Sequence, residues 1–179
     1  MPVSPRRPES AASEPRVILG IDPGSNVTGF GVIILRGRNF EVLEHGVIRT
    51  PRGADLGARL RVIYEGVAAL AARYKPDEIA VERAFVHINP ASALALGQAR
   101  GAALAGALVE PALYAEYAPR AVKLAVVGSG KADKTQVAHM VRHLLKLTGP
   151  IAEDASDALA VAVCHAHGHA LAHRLAVHA

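Results

Sequence analysis

Four acidic side chains, Asp22, Glu82, Asp154 and Asp157, stand where a carboxylate can do chemistry. Asp22 ends the apolar run Val17-Ile18-Leu19-Gly20-Ile21 and precedes Pro23-Gly24, so the pattern reads as a strand delivering its last side chain to an exposed sheet edge. Glu82 ends a second such run, Glu78-Ile79-Ala80-Val81. Asp154 and Asp157, three residues apart in the opening turns of a helix, share one face. Gathered in one cleft, these charges repel one another and tend to hold their protons until positive charge arrives. Oxygen-only donors favour Mg²⁺ or Mn²⁺ over zinc, and a shared carboxylate can hold two such ions about 4 Å apart. That arrangement serves phosphodiester hydrolysis, one ion readying a water and the other stabilising the leaving oxygen. Taken singly, each acid has a plainer reading: Asp22 starts a turn, Glu82 closes a strand, and the two aspartates complement a helix dipole. The joint pattern resists those readings.

The elements that must position these acids follow from periodicity. After the Asp22 turn, strands are expected over 29–35 and 40–48, and the short link Arg36-Gly37-Arg38-Asn39 makes them antiparallel neighbours. Leu56, Leu60, Ile63, Val67, Leu70, Ala71 and Tyr74 recur at three and four residues, which predicts a helix over 54–74. The strand over 78–82 is therefore reached through a helix and should lie parallel in the sheet. A helix over 90–109, a strand over 113–117 and a shorter helix over 119–126 follow, and Gly128-Ser129-Gly130 breaks the chain. Two more helices close it, one over 133–147 with Val137, Met140, Val141, Leu144 and Leu145 as its buried stripe, and one beginning after Pro150. Antiparallel strands first, then alternating helices and strands, is the order of an α/β, ribonuclease H-like domain with a five-stranded mixed sheet flanked by helices.

The 179 residues are enough for one domain with a real core. Residues 1–15, with four prolines and little to bury, are expected to be a disordered lead-in, 16–173 the nuclease domain and 174–179 a flexible tail. The lead-in lacks the apolar segment of a secretory signal, and the apolar run 101–109 is about half the ~20 residues of a membrane span, so no membrane association is expected. A single cysteine, Cys164, fits a reducing, cytoplasmic compartment. The formal net charge of +4 permits a polyanionic partner without demanding one.

Several separated motifs, in order, resemble the RuvC family of bacterial Holliday-junction resolvases: Gly20-Ile21-Asp22-Pro23-Gly24-Ser25, Val81-Glu82 with Phe85, Ala93-Leu94-Ala95-Leu96-Gly97-Gln98-Ala99-Arg100-Gly101, Val126-Val127-Gly128, and Asp154-Ala155-Ser156-Asp157-Ala158-Leu159-Ala160. The resemblance runs from about Val17 to His165. It implies that Asp22, Glu82, Asp154 and Asp157 are the metal-binding, catalytic acids of a nuclease that uses Mg²⁺ or Mn²⁺, two per site. It further implies a homodimer on four-way junction DNA, products with 5′-phosphate and 3′-hydroxyl ends, and the branch-migration proteins RuvA and RuvB as partners. Arg83 and Ile88 depart from residues common in such relatives, which bears on DNA grip and sequence preference.

The resemblance also implies DNA contacts. Phe85 would stack on bases at the junction, with Arg83 and Asn89 on the same loop, although a strand-end Phe is by itself more often a core residue. Lys123 and Lys134, either side of the glycine break, would meet phosphate; solvated surface lysine is the plainer reading. Ala93, Gly97, Gly101 and Ala105 form a smooth ridge on the second helix, open to packing on the chain's own sheet or to a second copy. A nucleotide-loop reading of Gly128-Ser129-Gly130-Lys131 fails because Ala125 and Ala132 stand where that pattern needs Gly and Ser or Thr. His165, His169 and His173 recur at four residues and are expected on a solvated helix face rather than on a metal. An actin-like ATPase, suggested by Thr28-Gly29 after the Asp22 turn, would need a second large domain and phosphate loop. A junction-binding protein without enzymatic activity is disfavoured by the intact acids.

Overall fold

The structure is a computed structural model that describes residues 14–83 and 89–177, with side chains through 168. Strand β1 (Arg16–Asp22) pairs antiparallel with β2 (Val27–Arg36), which pairs antiparallel with β3 (Asn39–Arg49). Helix α1 (Leu56–Tyr74) then leads to β4 (Glu78–Glu82), parallel to β1, and α2 (Pro90–Ala107) leads to β5 (Leu113–Tyr117), parallel to β4. The result is a mixed five-stranded sheet in the order β3-β2-β1-β4-β5. Helices α3 (Pro119–Val127), α4 (Lys134–Leu144) and α5 (Glu153–Val177) complete the chain.

Strand alternation divides the core in two. Leu19, Ile21, Val32, Ile79 and Val81 face Ile63, Val67, Ala99 and Ala103 of α1 and α2. Ile18, Ile33 and Ala80 face the other way, onto α3, α4 and α5, where Leu159 and Val161 to Cys164 are buried. Asp22 and Glu82 share parity with Ile18 and Ala80, so both acids project to the α5 side.

Differences from the expected boundaries have local causes. Asp55 and Asp133 lie just outside α1 and α4 because each caps its helix: Asp55 accepts from the Ala58 amide at 2.9 Å, and Asp133 forms a reciprocal capping box with Gln136. Helix α4 stops at Leu144 because Lys146 adopts a left-handed conformation at φ 51°. Helix α5 reaches Val177, past position 174 where a tail was expected. Of the expected lead-in, residues 1–13 lie outside the described residues.

Helix α5 is nearly all alanine and valine where it crosses the sheet, and the strands beneath it carry glycine. A β-carbon at Gly20 would collide with the carbonyl oxygen of Ala158, and one at Gly29 with the carbonyl of Asp154. Helix and sheet therefore meet backbone to backbone, and this sets how closely Asp154 and Asp157 approach Asp22. Within that helix Ser156 Oγ is buried with no hydrogen-bond partner among the described residues. An unpaired buried hydroxyl costs about 1 kcal/mol or more, so Ser156→Ala is expected to stabilise the fold by about that amount in urea unfolding. A comparable loss would mean that the hydroxyl is satisfied.

Candidate active site

The parallel pairing of β1 and β4 does the first part of the assembly. Ile21 lies opposite Val81, so the next residues, Asp22 and Glu82, leave adjacent strands at the same edge. The N-terminal turns of α5 bring Asp154 and Asp157 to that edge. Burial pushes the Asp22 carboxyl up to about 7, helped by the charges of Glu82, Asp157 and Asp154. Glu82 and Asp157 are also raised, in both cases first by burial, with the Asp157 charge adding to Glu82. The expected convergence of the four acids is thus present in the electrostatics.

Lys134 is the cation that reaches this group. Its Nζ lies 2.7 Å from Glu153 Oε1 and 3.6 Å from Asp157 Oδ2, and its charge works against the rise of Asp22, Glu82 and Asp157. Lys123 acts on Glu82 in the same sense. Among the described residues no group of three or more His, Cys, Asp or Glu side chains is arranged to hold a metal ion as it stands. The donor chemistry nevertheless fits a hard divalent ion: the acids are oxygen donors, and their mutual repulsion is relieved by positive charge.

The other expected contacts divide. Arg83 Nε lies 3.6 Å from Glu116 on β5, and the Asn89 side chain accepts from the Ala91 amide as the cap of α2. Both residues are exposed. Phe85 and Ile88 lie outside the described residues. Among the described residues the ridge on α2 is open: a β-carbon on Gly97 or Gly101 would meet nothing within 4 Å, whereas Gly106 sits against the backbone of α1. Beside the ridge Leu94 is 64% exposed.

One expectation is overturned. His165 belongs to no solvated face; it is 1% exposed. Its Nε2 lies 2.7 Å from Glu78 Oε2 and its Nδ1 2.7 Å from the Tyr117 hydroxyl, while Arg16 holds the other Glu78 oxygen at 2.7 Å. His169 and His173 fall where side chains are not described. The geometry explains the burial of His165. Glu78 and Glu82, four residues apart on a strand, stand roughly 13 Å apart, and Asp157 and His165, eight apart on a helix, stand about 12 Å apart. Helix α5 thus meets β4 at both ends, with Asp157 near Glu82 and His165 on Glu78. Sequence reasoning missed this link because a helical repeat of histidines carries no sign of a partner 87 positions earlier. It also passed over Arg100, which donates to the Glu82 carbonyl at 2.6 Å and pairs with Glu116 at 2.7 Å. A lone arginine in the small-residue run of α2 was the available signal.

Comparison with known proteins decides the family. The profile described as crossover junction endodeoxyribonuclease RuvC matches residues 18–165. The chain belongs to the RuvC family. RuvC of Colwellia psychrerythraea is 51% identical over 161 residues, covering 89% of this chain and 92% of that protein. RuvC of Halorhodospira halophila is 53% identical over 150 residues, 84% of this chain and 89% of that protein. Among solved structures, Thermus thermophilus RuvC in complex with Holliday junction substrate matches with a TM-score of 0.83 and 33% identity, over 88% of this chain and 96% of that one. The yeast mitochondrial Holliday junction resolvase shares the fold at a TM-score of 0.62 and 12% identity, over 86% of this chain and 80% of that one. The expected ribonuclease H-like architecture is therefore that of the RuvC family.

Proposed function

We propose that this protein is a homodimeric, metal-dependent endonuclease that resolves Holliday junctions by paired, symmetric phosphodiester hydrolysis in DNA recombination and repair. The observation that carries the catalytic reading is Asp22, whose carboxyl is held at about 7 by burial and by three converging acids. Four-way junction DNA as substrate is supported by the match to a RuvC bound to a Holliday junction.

Asp22, Glu82, Asp154 and Asp157 would hold two Mg²⁺ or Mn²⁺ ions, with Asp22, the most buried of the shifted acids, as the shared ligand. Bound there, such ions would supply Lewis-acid polarisation of the scissile phosphate and a water of lowered pKa. Lys134 and Lys123 steady the phosphate backbone beside the acids. Phe85, Arg83 and Asn89, which follow β4 in the sequence, contact the junction, Phe85 by stacking on bases. Products carry 5′-phosphate and 3′-hydroxyl ends, and the enzyme acts in the cytoplasm alongside RuvA and RuvB.

Two symmetric nicks need two sites, and the outward ridge of α2 supports dimerisation there. Gly101→Arg is expected to cost about 2 kcal/mol of association, raising the dimer dissociation constant some thirtyfold. Sedimentation velocity should then show monomer, and junctions should receive single rather than paired nicks. An unchanged dimer would place the interface elsewhere.

The reading as a whole is tested by incubating the protein with a synthetic four-way junction, a linear duplex and ATP, each with Mg²⁺, Mn²⁺ or chelator. Metal-dependent nicking of the junction alone is expected. Junction binding without nicking under any metal would leave a binding protein, and ATP turnover would revive the actin-like alternative.

A further inference from the structure

The sheet edge that carries Asp22 also carries a cleft that the four acids do not use. The β1–β2 turn, the end of β3 and the segment entering α1 enclose about 440 Å³, lined by Asn26, Thr50, Arg49, Arg52 and Arg59 among others. Among the described residues no aspartate or glutamate lines it. Elsewhere arginines are commonly paired, as in Arg36 with Glu41, Arg73 with Glu44 and Arg100 with Glu116. Arg49 and Arg52 are exposed and form no ion pair among the described residues. The nearby Asp55 is engaged as the cap of α1.

Arg59 builds the cleft's inner wall. Its guanidinium donates to the Ser25 carbonyl at 2.5 Å and to Asn26 Oδ1 at 2.8 Å, and Thr50 Oγ1 donates to the Asn26 carbonyl at 3.2 Å. These bonds tie α1 and β3 to the turn that follows Asp22. Three guanidinium groups around a cleft without counter-charge suit a phosphodiester, whose paired oxygens match the guanidinium fork.

Position narrows the ligand. Arg49 pairs in register with Val27 and Asp22 with Gly29, so cleft and acids lie on the same edge, two strands apart. At the usual strand spacing that is on the order of 10 Å, or about two to three nucleotides along a DNA strand. We infer that Arg49 and Arg52, on the frame held by Arg59, bind the DNA backbone about two to three nucleotides from the scissile phosphate. The inference rests on the proposed nuclease reading and gives it a second, non-catalytic phosphate site, which positions the strand without reading its sequence.

The test measures binding of a fluorescent four-way junction, with chelator present, between 50 and 200 mM salt. Compared are the wild type, Arg49→Ala/Arg52→Ala, Arg49→Lys/Arg52→Lys, and Arg38→Ala in the β2–β3 turn at the opposite end of the sheet. The double alanine variant should bind about tenfold more weakly, with the slope of log affinity against log salt reduced by about two. The lysine pair should keep that slope, and Arg38→Ala should match the wild type. A neutral methylphosphonate two to three nucleotides from the cut should weaken the wild type and leave the double alanine variant unaffected. If the wild type binds and nicks the junction but the double alanine variant matches its affinity and slope, or if the methylphosphonate weakens both alike, the cleft is not a phosphate site. If the wild type neither binds nor nicks the junction, the nuclease reading falls and takes the cleft with it. Circular dichroism of the three variants separates lost contacts from lost fold.

Discussion

Asp22→Asn is expected to abolish junction cleavage, by at least about 10³-fold, while making the metal-free fold more stable at pH 8. In the folded protein Asp22 releases its proton near pH 7, against about 3.8 for the unconstrained group. Between those values the folded state holds a proton that the unfolded chain has lost. Stability therefore falls as pH rises from about 4 to about 7, and below that window the group contributes nothing. With about 1.36 kcal/mol for each tenfold change in proton affinity, the ionised carboxylate costs on the order of 4 kcal/mol at pH 8. Replacing it with a neutral isostere removes that cost. Urea unfolding with chelator should give the variant about 2 kcal/mol or more over the wild type at pH 8, and near equality at pH 4. Junction binding should persist. A variant no more stable than the wild type at pH 8 would mean that Asp22 does not bear the repulsion assigned to it.

Gly29→Ala is expected to cost at least about 3 kcal/mol, above the usual range for an added methyl group in a core. The new carbon would collide with the Asp154 carbonyl, and the opposing atoms are backbone, so no side chain can rotate away. Helix α5 must move outward, taking Asp154 and Asp157 from Asp22 and Glu82. Cleavage should therefore fall at temperatures where the variant is still fully folded, beyond what its lower melting point explains. Gly101→Ala is the matched control for stability alone, since it lies on the ridge proposed for dimerisation: its β-carbon meets nothing within 4 Å among the described residues, and the better helix former should add about 0.5–1 kcal/mol to monomer stability. Unfolding midpoints of the two variants, and the cleavage rate of Gly29→Ala against the wild type, check this. Equal behaviour would show that helix and sheet are not in backbone contact at Gly29.

The strand directions could be read from sequence because connection length decides them. Two residues between β2 and β3 allow only antiparallel pairing, and an intervening helix puts β4 in a parallel position. Asp22 and Glu82 were visible for the same reason, as acids terminating apolar runs that such a topology brings to one edge. What the sequence hid depends on distant registry. The buried setting of His165 needs Glu78 and Tyr117 against the middle of α5, and local periodicity sees only a regular row of histidines. Gly20 and Gly29 read as ordinary strand residues until the helix that crosses them is present. The arginine cleft joins the segments around Asn26, Arg49 and Arg59, which share no motif.

The seating of α5 also bears on the order in which the protein is made. This helix is synthesised after the other described elements, and it brings half of the acid cluster together with part of the cover for one face of the sheet. Its middle is fastened through His165 and Glu78 to Arg16, the first residue of β1. A nascent or truncated chain that stops before Pro150 holds only Asp22 and Glu82 and exposes the apolar face on which Leu159 would lie. Such a chain lacks two of the four proposed metal ligands and is expected not to cut junction DNA.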